Sequence, residues 1–260
     1  MAARPFSFSR QGLNPGGHNV LDRHENGAKG CDMDERLEFK KRVAPKLDNV
    51  AAIREHYRRR LQASRKVQKL LHLGVANDYA VFALGISPEG LANYSAAERR
   101  PSGGPLNHRI RAETADSGII RLAGELSECP DAQAMIECIY HENFPWLKIS
   151  VGSEMAMMLR PKLFCVCNVR TMWAYMLVDN KFEFSKANEE LRLYHEQQSD
   201  DDDRESQMAY RYWKSEYHKM VKALEKLALY SNAVAEEQGI TPGKGYLWYD
   251  CLANALYEKR

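Results

Sequence analysis

NVAAIREHYRRRLQASRKVQKLLHL, residues 49–73, decides the fold class of this chain. Stepped at 100° per residue, Val50, Ile53, Tyr57, Leu61, Val67 and Leu71 fall on one face, which is the pattern of an amphipathic helix. Asp48 or Asn49 stands where a cap belongs and Gly74 where a helix stops. At 1.5 Å per residue such a helix is about 37 Å long.

Its polar side is unevenly charged. The stretch carries seven Lys/Arg against one acid, Glu55. Arg54, Arg58, Arg65 and Lys69 cluster beside the apolar face, and Arg59 and Lys66 extend that flank to the far side. Arg60 is the exception, because it falls on the apolar face itself. A row of cations along a line comparable to a turn of duplex replaces condensed counterions on phosphates and gains entropy from their release. The arginine fork also matches phosphate oxygens better than an ammonium does.

Outward from this helix, most of the chain reads as helical. Asp32 and Glu35 have capping-box spacing and open a helix that Pro45 stops. Residues 1–30, with five glycines and two prolines, read as a flexible arm. Residues 75–84 fit helix or strand, and Ser87-Pro88-Glu89 opens a helix over 88–99. Residues 80–94 have a weak helix-turn-helix spacing at Ala80 or Val81, Gly85, Ile86 and Leu91. A loop over 100–117 then separates a basic helical region, 31–100, from the remainder, 101–260, although the two regions can also form one continuous domain.

Beyond the loop, helices are expected at 118–128 and 131–142. Residues 146–184 read as a small mixed α/β segment. Segments 147–151, 162–169 and 181–184 have the β-branched and aromatic content of strands, 153–160 reads as a short helix, and 171–178 is ambiguous. Helices follow at 185–198, 204–238 and 246–258. In the second of these, Trp213, Met220, Leu227 and Val234 recur every seven residues, with Tyr217 and Leu224 between them. The seam serves either packing within the chain or a homodimer or protein partner through the 204–238 helix. The fold class is therefore mainly α with a mixed α/β segment at 146–184.

Composition narrows the function. A net charge of +2 and 44% hydrophobic residues belong to an ordinary globular chain. No apolar run reaches the roughly 20 residues of a membrane span, and six cysteines are too few for a disulfide scaffold, so a cytoplasmic protein without membrane contact is expected. Cys165 and Cys167, two residues apart, share one face of an expected strand, and Cys129, Cys138 and His141 could approach a zinc ion, but no paired CxxC supports a metal centre. Gly239 to Gly245 lacks the spacing and the hydroxyl of a phosphate loop. Asp179 and Glu183 flank Lys181 as the best acid pair for a divalent metal. No catalytic, metal or cofactor residue is assigned.

The leading expectation is a non-catalytic nucleic-acid-binding accessory or regulatory protein, with DNA the first candidate. Its phosphate contacts would be Arg54, Arg58, Arg59, Arg65, Lys66 and Lys69, joined by Arg99, Arg100, Arg109 and Arg111 of the loop. The acidic run Asp200 to Asp203 is the segment able to mask them. Two other classes compete. One is a complex subunit that binds proteins through the 213–234 seam and the acidic run. The other is a metal-dependent enzyme with its site in 146–184.

Overall fold

The computed structural model describes residues 24–86, 104–196 and 202–260. Among them are eleven α-helices and no strand, so the chain is mainly α. The helices are α1 (His24–Arg42), α2 (Val50–His72), α3 (Ala76–Ala83), α4 (Gly104–Glu113), α5 (Asp116–Glu128) and α6 (Ala132–Glu142). They continue with α7 (Ile149–Leu159), α8 (Val169–Asp179), α9 (Phe184–Glu196), α10 (Asp202–Glu237) and α11 (Gly245–Tyr257). Compactness divides the chain between Leu37 and Glu38, and the main unit is Glu38–Arg260.

Within the main unit, α2 packs on α3, α7 and α11, while α8 packs on α9, α10 and α11. The expected signals set several ends. Asn49 caps α2 by accepting from the Ala52 N–H, and Gly74 closes it at φ +67°. Asp131 caps α6, and Asn168 and Thr171 form a capping box on α8. Two boundaries differ from expectation. Residues 24–30, read as part of the arm, are helical in α1, and residues 1–23 lie outside the described residues. Most of the expected 100–117 loop is α4 and the start of α5. The expected 88–99 helix, and with it the second half of the helix-turn-helix spacing, also lies outside the described residues.

The mixed α/β segment is not formed, and each expected strand fails for its own reason. Residues 147–151 lead into α7, whose residues are buried throughout apart from Ser150. A helix covered on every side is apolar on every side, so its sequence loses the helical stripe and mimics a buried strand. Residues 162–168 form a connector with Phe164, Cys165, Val166 and Cys167 all buried. Its backbone finds side chains instead of a neighbouring strand. The Cys165 N–H donates to the Tyr217 hydroxyl at 2.7 Å, and the Cys167 N–H donates to Ser153 Oγ at 2.8 Å. The Thr171 hydroxyl donates to the Val166 carbonyl at 2.8 Å. Buried peptide groups require partners, and here three helices supply them. Residues 181–183 are a tight turn in which Lys181 and Phe182 take φ of 51° and 64°.

The heptad seam of α10 packs inside the chain. Trp213, Met220, Leu224 and Leu227 are buried, on a helix that packs against α8 and α11. Close approach is built in elsewhere too: a Cβ on Gly152 of α7 would stand 2.8 Å from Ile139 of α6.

Candidate nucleic-acid interface

The expected apolar face of α2 is the buried one: Val50, Ile53, Tyr57 and Val67 all sit in the core, with Ala63 and Ser64 beside them. Tyr57 packs edge-on against Trp248 at 5.7 Å, and the Ser64 hydroxyl donates to the Met158 carbonyl at 2.6 Å. These contacts with α11 and α7 fix the rotation of α2 and so fix which residues face outward.

Arg58, Arg59, Arg65, Lys66 and Lys69 are exposed. Arg58 donates twice to Glu55, at 2.8 and 2.9 Å, and Arg59 lies 3.6 Å from the same carboxylate. The Arg58 hydrogen bonds hold the Glu55 carboxyl below its ordinary value, with the charges of Arg58 and Arg59 adding to the effect. Lys66 sits over the Phe82 ring at 4.3 Å. Among the described residues, Arg65, Lys66 and Lys69 make no ion pair. Arg54 is turned toward the protein: its Nε donates to the Thr241 carbonyl at 2.9 Å and its guanidinium covers Tyr57 at 5.0 Å. The stripe therefore runs from Arg58 to Lys69, with Arg54 tied down at its start.

The loop arginines do not extend the stripe as one helix face. Arg109 and Arg111 lie on α4. Arg109 stacks on Trp146 at 4.1 Å, and Arg111 grips Asp116 with two hydrogen bonds of 3.0 Å. Arg111 is held besides by Asn77 of α3 at 2.6 Å. Arg99 and Arg100 lie outside the described residues, as do Asp200 and Asp201. Asp202 and Asp203 open α10, whose next described side chain, Tyr210, rests on Tyr140 of α6 at 4.8 Å.

Arg60 behaves differently from every other cation of α2. It is buried, and its Nη2 reaches Glu154 of α7 at 2.9 Å and Asp250 of α11 at 3.2 Å. Two carboxylates thus share one guanidinium where three helices meet. His56, one turn before Arg60, is pushed down to about 4 by burial, with Arg60, Arg59 and Arg170 adding to the effect, so it is neutral at neutral pH. The wheel position of Arg60 marked it in advance, but its partners were not foreseen. Their signal is that Glu154 and Asp250 are each a lone acid within an otherwise apolar helix.

The other candidate constellations resolve into packing. Cys165 and Cys167 are fully buried, and burial pushes both thiols up. The Cys138 thiol faces Glu125 at 3.7 Å and is pushed up to about 12, by burial first and then by Cys129 and Glu125. Glu183 pairs with Lys186 at 3.0 Å and with Arg42 at 3.7 Å. Among the described residues no three His, Cys, Asp or Glu side chains gather as metal ligands. No helix among them is long and apolar enough to cross a membrane. Comparisons with protein-family models, with curated proteins and with solved structures give no match.

Proposed function

We propose that this chain is a non-catalytic, cytoplasmic nucleic-acid-binding protein with an accessory or regulatory role, and that it holds the phosphate backbone of DNA on the outer face of α2. One observation carries the reading: Arg58, Arg59, Arg65, Lys66 and Lys69 lie exposed along one helix with a single carboxylate, Glu55, among them. Arg58 to Lys69 covers about 17 Å at 1.5 Å per residue, roughly half a turn of duplex. Contacts of this kind position a backbone and read no sequence.

Binding of a duplex oligonucleotide to the full chain, titrated with salt, tests the proposal. With about five phosphates neutralised, log K should fall with log salt at a slope of about −4 to −5. Arg58→Glu with Arg65→Glu should remove measurable binding. Retained affinity in that double variant, or affinity indifferent to salt, sinks the reading. A protein-binding subunit is the second reading. The burial of the seam leaves such a partner, or a homodimer through the 204–238 helix, the outer side of α10, where Leu229 is 64% exposed.

A further inference from the structure

A second surface, built from other residues, carries chemistry of its own. Between α6 and α10 lies a cleft of about 300 Å³ lined by Ile136, Glu137, Tyr140, His141, Tyr210, Arg211 and Lys214. Its two walls differ in kind. The α6 wall offers the ring of Tyr140, which is 42% exposed and meets the Tyr210 ring at 4.8 Å and an interplanar angle of 67°. The α10 wall offers Arg211 and Lys214, three residues apart and so on one side of the helix. His141 also lines the cleft, its ring 5.6 Å from that of Tyr140. Tyr210 is buried, and its hydroxyl has no hydrogen-bond partner among the described residues.

We propose that this cleft binds a single nucleotide, with the base on the Tyr140 ring and the phosphate on Arg211 and Lys214. Three features select that class. A guanidinium fork beside an ammonium matches phosphate oxygens. An exposed aromatic face stacks on any base. The volume sits at the lower end of the roughly 300–1,000 Å³ of small-molecule sites, which suits one nucleotide better than a strand.

The cleft also holds its own competitor. Glu137 accepts from Lys214 at 2.8 Å and from Gln133 at 2.6 Å. A phosphate arriving at Lys214 displaces this carboxylate or shares the ammonium with it. Removing the charge of Glu137 therefore strengthens binding, whereas a purely structural Glu137 would give no gain.

The test is calorimetric titration of the full chain with AMP, adenosine, inorganic phosphate and a 5′-phosphorylated oligonucleotide. AMP should bind about tenfold or more tightly than adenosine or phosphate alone, as loss of stacking or of charge-assisted bonds implies. Arg211→Glu with Lys214→Glu should weaken AMP by at least about tenfold while the protein stays folded, because the Lys214–Glu137 pair that it breaks is exposed and contributes little to stability. Glu137→Gln should tighten AMP. Displacement of AMP by the oligonucleotide would identify a strand end as the source of the nucleotide, and no displacement would identify the free nucleotide. No AMP binding, equal affinity in the double reversal, or weaker binding in Glu137→Gln overturns the proposal. The site does not depend on α2, so Arg58→Glu with Arg65→Glu should leave AMP affinity unchanged.

Discussion

Three consecutive arginines on α2 meet two opposite environments. The side chains of Arg58 and Arg59 are 59% and 44% exposed, and that of Arg60 is 3% exposed. Nothing in the residue type separates them; the 100° step does. On the outer face, water keeps the charges cheap to hold and leaves them available to an anion, and their attachment to Glu55 is worth little. At the junction of α2, α7 and α11 the side chains are almost wholly covered, and Arg60 is tolerable only because Glu154 and Asp250 were buried with it. The outer arginines are a surface property of the folded protein, while the inner one is part of what makes the fold a single arrangement.

The contrast can be broken most severely at Arg60. Arg60→Ala leaves two carboxylates buried without their cation and should cost about 3–5 kcal/mol in urea unfolding. A loss below about 1 kcal/mol would mean that the junction is wetter than its burial indicates. The next effect is set by pH. The folded value of His56 lies at about 4, below its unfolded value of 6.5. The unfolded chain therefore binds the additional proton first, and the His56 contribution, complete above 6.5, should be lost as pH falls from 6.5 to about 4. His56→Gln should flatten stability over that window, and an unchanged slope would assign the loss to other groups. The smallest effect belongs outside. Arg58→Glu with Arg65→Glu should shift unfolding by only about 0.5 kcal/mol, because surface charges away from the core contribute little. A larger loss there would make the stripe structural and weaken its reading as a binding face.

What the sequence disclosed follows the same division between outside and inside. Helices with one wet face were legible, since α2 and α10 keep a polar side and hence a visible period. The helix α7 was legible only over 153–160; its first turn was read as a strand, because Ile149 and Val151 are buried like the residues that follow and leave no polar period. The turn at Lys181 and Phe182 carries no glycine to announce its positive φ. The basic stripe was readable as spacing on one helix. The Arg60 cluster was only half readable, because its partners come from positions 154 and 250, and pairing at that separation leaves no local trace. The cleft was invisible for the same reason, since Tyr140 and Arg211 meet only after α6 and α10 have packed.

The connector at 164–168 has a consequence for how the protein opens. Its peptide groups are held by hydroxyls from α7, α8 and α10, so it has no ladder of its own from which to fray. Releasing the Cys165 or Cys167 amide to solvent means withdrawing Tyr217 or Ser153, and with it a helix of the core. A stretch without regular structure is thereby joined to the least yielding cooperative unit of the molecule, where local opening and global unfolding become the same event.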